Sequence, residues 1–337
     1  MTTRGAKLVR PHVRLRGRRP PRAIVLAVVS LVALFFVVPH VVGLEHTWQR
    51  IRDGSPAWLA AAGALEVGSF AGYVWLLRRI AAPLRWADAW RITLAGVAAT
   101  RIVTVAGAGG IAVTVSGLRR AGRSTREAAE QQAVDLVVLY AVFFGLMFAD
   151  GLALAAVGGR HAGLTVVPAL VGATVIGLAL AMALVPATFE RELRRRFGPR
   201  AGVIGALPAV VAAGVRGANE LVARRDRALT GAVVWWAFDI AALWACLRAF
   251  GGSVGAAELL MAYLAGHAFN VLPVPGGVGP VEGGTIAALV AFGEPAGLAL
   301  VGVLSYQLIS VWLPAAPGAV ALAQLRRDGA PAEGMAT

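Results

Sequence analysis

The stretch "PVPGGVGPVEGG", residues 273–284, interrupts an apolar region with three prolines, five glycines and a single carboxylate, Glu282. A continuous helix or strand does not tolerate this composition, because proline lacks a backbone donor and glycine weakens both elements. The stretch therefore predicts a backbone break within an apolar segment, with Glu282 directly after the break.

The composition of the chain is that of a membrane protein. Its 337 residues are 58% hydrophobic and 15% charged, and the mean hydropathy is +0.71. Soluble domains contain about 45–50% apolar and about 25% charged residues. Several apolar runs reach about 20 residues, the length that crosses about 30 Å of hydrocarbon. The sequence therefore predicts an all-α polytopic membrane protein.

The net charge of +14 is distributed as a topology signal, because the basic residues collect between the apolar runs. Aromatic residues do not interleave with them as a single-strand nucleic-acid binder requires, so no nucleic-acid partner is predicted. We predict a basic cytoplasmic tail at 1–22, one transmembrane domain at 23–325 and a short cytoplasmic tail at 326–337. Both termini are then cytoplasmic.

Six membrane spans are predicted, at 23–43, 56–77, 133–157, 164–185, 229–250 and 296–324. No small-x-small cleavage site follows the first run, which favours a retained anchor over a signal peptide. An alanine-rich helix at 201–223 is predicted to lie on the cytoplasmic membrane surface.

Two further apolar segments are predicted to be re-entrant hairpins of opposite orientation. Residues 92–118 have arginine clusters on both flanks and a glycine break, "AGAGG", in the middle. Residues 256–292 contain the opening stretch and no lysine or arginine. Eight ordinary spans are the alternative, which places 273–284 in a loop.

Backbone breaks of this kind predict a binding site. A helix that stops inside a membrane leaves unpaired backbone groups, which are tolerated only inside protein or around a wet cavity. Its N-terminus favours an anion such as a phosphate. Pairs of broken segments in inverted orientation build the sites of inverted-repeat transporters. Pro280 suits the first turn of the helix after the break, with Glu282 in the same turn. A weak internal similarity pairs "GGIAVTVSG" from Gly109 with "GGVGPVEG" from Gly276.

Charged side chains at membrane depth cost about 2.5–3.5 kcal/mol, so each is a functional candidate. The predicted lipid-binding residues are Arg101, Gly109, Gly110, Asn270, Pro275, Gly276, Gly277, Gly279 and Glu282. The predicted charge-relay or coupling residues are Glu66, Asp239 and His267. Structural alternatives are open for Glu282 as a helix cap, Arg101 as a surface-reaching side chain and His267 as a hydrogen-bonded core residue. Asp135 is interpreted as a charge at the start of a helix.

Several functional classes are disfavoured. The single cysteine, Cys246, excludes an internal disulfide and a cysteine-based metal site. The sequence has no P-loop and no HExxH motif. We therefore predict neither an enzyme nor a cofactor or metal site.

Through "PVPGGVGPVEGG", Arg101 and "AGAGGIAVTVSGLRRAG", residues 106–122, the chain resembles the lysylphosphatidylglycerol synthase transmembrane-region family. These are flippase-like proteins of the bacterial inner membrane. The Pro-Gly-Gly break followed by Glu matches at Pro275, Gly276, Gly277, Gly279 and Glu282. The first broken segment, "TVAGAGG", departs from the family pattern because it has no proline and no acidic residue. Since only ten residues follow Arg327, we expect a stand-alone membrane unit without the synthase domain.

The resemblance implies translocation of a phospholipid or a polyprenyl-phosphate-linked lipid across the bacterial inner membrane, with membrane lipids as partners. A proton-coupled transporter of a small solute is one alternative. The other is a scaffold that docks a cytoplasmic enzyme on the basic loops of residues 191–227. Assembly with a second copy of the chain stays open.

Overall fold

The computed structural model describes residues 54–102, 107–158, 162–183, 202–271 and 279–327, which form eleven α-helices and no strand. The helices are α1 (Pro56–Ile80), α2 (Trp86–Ile102), α3 (Ala108–Arg120), α4 (Thr125–Ala156), α5 (Ala162–Ala183), α6 (Gly202–Ala223), α7 (Ala228–Ala249), α8 (Ala256–Ala268), α9 (Pro280–Ala291), α10 (Ala296–Gln307) and α11 (Leu313–Arg327). A 3-10 turn, Phe269–Val271, extends α8, and a π-helical turn, Leu308–Trp312, joins α10 to α11. The predicted all-α class is confirmed.

Five of the described segments are long and apolar enough to cross a membrane: α1, α4, α5, α7 and the continuous run from α10 to α11. They correspond to the last five predicted spans. The chain is therefore a multi-pass membrane protein. The predicted span at 23–43 and the tail at 1–22 lie outside the described residues, and the orientation of the termini stays a prediction.

Four helices are too short to cross a membrane. Helices α2, α3, α8 and α9 contain 17, 13, 13 and 12 residues, whereas a span needs about 20. Helix α2 packs against α3, and α8 packs against α9. Two broken helix pairs therefore occupy the regions predicted as hairpins, although the first begins at Trp86 rather than at residue 92. Insertion of the two pairs from opposite membrane faces stays a prediction.

Helices α1 and α7 pack against each other through glycines. A Cβ atom added at Gly72 would lie 2.8 Å from the Gly231 carbonyl oxygen, and one added at Gly231 would lie 2.6 Å from the Gly72 oxygen. The two backbones therefore touch, as small residues permit in membrane helices. The Ser55 N–H donates to the Ala249 carbonyl at 2.9 Å, so the start of α1 meets the end of α7.

The opposite end of this pair is held by an ion pair. Arg79 at the end of α1 lies 3.1 Å from the Asp226 carboxylate, which precedes α7. The Ala228 N–H also donates to Asp226 at 2.8 Å. The Ala228 backbone bond and the Arg79 guanidinium together hold the pKa of Asp226 below its ordinary value. Helices α1 and α7 are therefore antiparallel along their full length.

The helix contacts of the two halves correspond. Helix α1 contacts α2 and α4, as α7 contacts α8 and α10. Helix α3 packs on α4, as α9 packs on α10, and α2 packs on α11, as α8 packs on α4. Because the equivalent helices α1 and α7 are antiparallel, the two halves have the contact pattern of an inverted repeat.

Helix α4 begins earlier than the sequence predicts. The Glu127 N–H donates to the Ser124 hydroxyl at 3.2 Å, and the Ser124 N–H donates to the Glu127 carboxylate at 2.8 Å. This reciprocal cap starts the helix at Thr125, eight residues before the predicted span. Asp135 therefore lies ten residues inside α4 and is 0% exposed. Its interpretation as a helix-start charge is wrong.

The helix predicted at 201–223 is present as α6. It packs against α4 and α5, and a Cβ added at Gly214 would lie 2.9 Å from the Ala133 backbone. Ala209 and Ala218 are buried in this contact. The position of α6 at the cytoplasmic surface stays a prediction.

We expect Gly231→Ala to destabilise the α1–α7 pair, because the new Cβ would lie 2.6 Å from one backbone atom and 2.9 Å from the backbone nitrogen of Leu76. Overpacking of this kind costs about 1–3 kcal/mol. Thermal unfolding of the detergent-solubilised full chain, followed by tryptophan fluorescence, measures the change.

Gly63→Ala on α1 is the matched control, since nothing lies within 4 Å of its added Cβ. An alanine there is expected to leave stability unchanged or raise it by about 0.5–1 kcal/mol. Equal melting temperatures for the two variants would contradict the backbone contact between α1 and α7.

Candidate functional site

A cavity of about 360 Å³ lies between the two broken helix pairs and the spans that surround them. Both pairs contribute to its wall, with Gly107, Gly110, Ile111 and Thr114 from the first and Tyr263, His267, Asn270 and Val281 from the second. Helices α1, α4, α7 and α10 supply most of the remaining wall. The cavity therefore lies where the two halves of the fold meet.

Two carboxyl groups face each other across the antiparallel pair at this cavity. Glu66 of α1 is 4% exposed and Asp239 of α7 is 6% exposed, and the two side chains interact directly. Both line the cavity. Two adjacent charges of one sign in a low-dielectric site strongly favour a shared proton or a bound cation.

Asp239 is also the acceptor of two tyrosine hydroxyls. The Tyr306 hydroxyl donates to Asp239 Oδ1 at 2.7 Å, and the Tyr263 hydroxyl donates to Oδ2. The His267 ring stacks on Tyr263 with ring centroids 3.9 Å apart, and its Nδ1 lies 3.0 Å from the Tyr263 carbonyl oxygen. Two helices, α8 and α10, thereby fix the position of the α7 carboxylate.

A second polar part of the wall comes from α2 and α4. Thr93 and Gln132 are 2% and 3% exposed and line the cavity. Within the described residues, the Thr93 hydroxyl and Gln132 Oε1 make no hydrogen bond. An unpaired buried polar atom costs about 1–3 kcal/mol, so these atoms favour a polar occupant of the cavity.

The two short helices after the breaks begin in the same way. Gly107 with φ +72° caps the N-terminus of α3, and Gly279 with φ +122° caps that of α9. These caps pair Gly107 with Gly279, so the predicted pairing of Gly109 with Gly276 is not the one that the helix starts support. In the new register Gly110 occupies the position of Glu282, the third residue of its helix.

Glu282 is bonded entirely within the protein. Its Oε2 accepts the Gly279 N–H at 2.6 Å, and its Oε1 accepts the Gln307 amide. The side chain is 3% exposed and Gln307, rather than Glu282, lines the cavity. Pro280 is the first residue of α9, as predicted. Glu282 therefore caps α9 and positions Gln307.

The N-terminus of α3 has no equivalent cap. Its first turn contains no acidic residue, and no side chain among the described residues caps it. A Cβ added at Gly110 would lie 2.4 Å from the Thr100 hydroxyl and 3.1 Å from the Gly96 oxygen, so no side chain fits there. Gly107 and Gly110 both line the cavity. The uncapped helix start therefore adjoins the cavity.

The structure brings most of the described candidate residues together. Those that line the cavity are Glu66, Gly110, Asp239, His267 and Asn270. Gly109, Gly279 and Glu282 belong to the two helix starts beside it. The Arg101 side chain and the residues Pro275, Gly276 and Gly277 lie outside the described part of the chain.

The sequence analysis did not identify the tyrosines and glutamines of the cavity. Tyr263 lies four residues before His267, a spacing that places both on one helix face. Gln132 and Gln307 are polar amides inside apolar helices, which marks them as candidates in the same way as the carboxylates. Sequence alone does not connect Tyr306 to Asp239, because the contact joins two distant helices.

The cavity also has exposed residues in its wall. Tyr140, in the middle part of α4, is 47% exposed, and Ile111 of α3 is 36% exposed. Part of the cavity wall is therefore exposed within a helix long and apolar enough to cross a membrane.

We expect Glu282→Ala to destabilise the chain, because it removes the cap of α9 and leaves the Gln307 amide unpaired. Loss of a helix cap costs about 0.5–2 kcal/mol. Glu282→Gln keeps an oxygen acceptor for the Gly279 N–H and should lose less stability. Thermal unfolding of both variants tests this order, and equal stability of wild type and Glu282→Ala would contradict the capping role.

Comparison with protein families matches residues 23–318 to the model described as Lysylphosphatidylglycerol synthase TM region. No curated protein matches the chain. The matched range includes both broken helix pairs, the cavity between them and all but the end of the last span. The chain therefore belongs to the lysylphosphatidylglycerol synthase transmembrane-region family.

Proposed function

We propose that the chain moves a lipid across the bacterial inner membrane, with the lipid head group passing through the cavity between the two broken helix pairs. The lipid is a phospholipid or a polyprenyl-phosphate-linked lipid. Its acyl or prenyl chains remain in the hydrocarbon while the polar head group crosses.

The observation that carries this proposal is the position of the exposed part of the cavity wall. Tyr140 lines the cavity, is 47% exposed and belongs to the middle part of the 32-residue helix α4. In the proposed path the cavity is entered from the hydrocarbon at this level. A lipid head group can then enter sideways while its chains stay in the bilayer, whereas a small solute needs a path from water.

The start of α3 supports binding of the lipid phosphate. An uncapped helix N-terminus carries about half a positive charge and free backbone N–H donors. Gly107 and Gly110 place this helix start at the cavity, and the equivalent helix start in the second half is filled by Glu282. The phosphate therefore binds on the α3 side.

The opposite part of the wall suits a positively charged amine. Glu66 and Asp239 supply negative charge, and the aromatic rings of Phe70, Trp235 and Trp236 line the same cavity. Aromatic faces attract cations, most strongly where water is excluded. A head group with a phosphate and an amine, such as an aminoacylated phospholipid, satisfies both sides.

Reconstituted full-length protein tests the proposal. Proteoliposomes carrying a fluorescent head-group-labelled lipid are treated with dithionite, which quenches label in the outer leaflet. An aminoacylated phosphatidylglycerol probe and a plain phosphatidylglycerol probe are compared. We expect the protein to speed lipid crossing, and Asp239→Asn to slow the aminoacylated probe about tenfold or more, equal to about 1.4 kcal/mol of lost interaction.

Glu220→Gln is the matched control, since Glu220 lies on α6 with a side chain 67% exposed and pairs with Arg224. Its transport rate should equal that of wild type. Lipid crossing no faster than in empty liposomes for both probes would contradict the proposal and favour the solute-transport and scaffold alternatives.

A further inference from the structure

The carboxyl pair at the centre of the cavity differs in how its two members are bonded. Asp239 accepts a tyrosine hydroxyl on each of its oxygens. Hydrogen bonds donated to a carboxylate stabilise its charged form. Asp239 is therefore the member of the pair whose oxygens are satisfied by hydrogen bonds from the protein.

Glu66 has the opposite environment. Its Oε2 makes no hydrogen bond within the described residues, the side chain is 4% exposed and its direct neighbour is the Asp239 carboxyl group. A second negative charge there would be buried, unbonded and next to a charge of the same sign. These surroundings favour a proton on Glu66.

Within the described part of the chain, the other titratable groups around Glu66 include no lysine or arginine that would neutralise its charge in place of the proton. The Cys246 thiol of α7, the Tyr263 hydroxyl and His267 ring of α8, and the Tyr306 hydroxyl of α10 surround the pair. His267 stacks on Tyr263 and lies 3.0 Å from its carbonyl oxygen. Among the described lining residues there is no lysine or arginine.

We propose that Glu66 and Asp239 form a proton-exchange site, at which the positively charged amine of the transported lipid replaces the proton of Glu66. The coupling to lipid rests on the proposed function, whereas the proton on Glu66 does not. One proton leaves Glu66 for each positive charge that binds at the carboxyl pair, so the charge at the pair stays constant.

The exchange is a simple proton transfer. The O–H bond of Glu66 breaks, its electron pair remains on the carboxylate and the proton passes to water. The ammonium group of the lipid then donates a hydrogen bond to the Glu66 carboxylate. When the lipid leaves, water returns a proton to Glu66. A proton gradient can therefore drive the lipid in the opposite direction to the proton.

Infrared spectroscopy of the full-length protein in phosphatidylglycerol vesicles tests the proton without transport. At neutral pH we expect a carbonyl band of a protonated, buried carboxyl group in wild type. Glu66→Gln should remove the part of this band that Glu66 contributes, which the difference spectrum of wild type minus Glu66→Gln separates from other buried carboxyl groups such as Asp135. The glutamine amide can still donate to Asp239, which preserves the fold. Asp239→Asn should lower the pH at which the band disappears, because the like charge is gone, by roughly one to three units.

Glu220→Gln should leave the band unchanged, because that side chain is solvent-exposed. A difference spectrum of wild type minus Glu66→Gln that lacks a protonated carboxyl band would overturn the assignment of the proton to Glu66. Absence of any such band in wild type at neutral pH would overturn the proton-exchange site.

Transport under an imposed pH gradient tests the coupling. Wild type should accumulate the aminoacylated probe in the leaflet set by the gradient, and reversing the gradient should reverse the accumulation. Glu66→Gln should show no response to the gradient. If lipid crosses at the same rate in wild type and Glu66→Gln with no gradient response, proton exchange is wrong while lipid translocation stands. If the infrared band behaves as expected but no lipid crosses, the proposed function is wrong while the proton site stands.

Discussion

The backbone contact between α1 and α7 is the constraint on which the site depends. Gly72 and Gly231 let the two helices touch, and the contacts at both ends fix them as antiparallel. Glu66 and Asp239 are thereby brought to one level of the pair, although they are far apart in sequence. A larger side chain at the crossing would separate the helices and with them the two carboxyl groups. The close approach of the two carboxyl groups thus depends on glycine at positions 72 and 231.

The two halves of the fold solve the same backbone problem differently. In each broken pair the second helix follows a glycine with positive φ, Gly107 before α3 and Gly279 before α9. In the second half the Glu282 carboxylate accepts a backbone N–H at the start of α9. In the first half a Cβ at Gly110 would collide with α2, and the helix start adjoins the cavity instead. Glu282 caps the start of α9, whereas among the described residues the start of α3 has no equivalent carboxylate. The two halves are therefore alike in packing and different in chemistry.

Sequence identified the fold class and the five described spans because hydropathy and length determine both. It also placed the breaks, since proline removes a backbone donor and glycine weakens a helix, so runs of both interrupt it. It misplaced the start of α4, because the cap at Ser124 and Glu127 is local chemistry that hydropathy does not contain. For the site, Glu66, Asp239 and His267 were predicted by their cost at membrane depth, but Tyr263 and Tyr306 were not. Their role depends on contacts between α7, α8 and α10, and such long-range contacts have no signature in one sequence.

In the proposed proton exchange, the hydrogen bonds to Asp239 allow a buried carboxyl pair to serve transport rather than only destabilise the fold. If both acids were protonated, the cavity would be neutral and would hold no cation. If both acids were ionised with no cation bound, their repulsion in a low-dielectric site would oppose the close contact of α1 and α7. Two tyrosine hydroxyls bond Asp239. In the proposed exchange, Glu66 holds a proton when the cavity is empty and binds the amine when the lipid is present. The helices can then stay packed in both the empty and the loaded state, because the charge between them is the same in each.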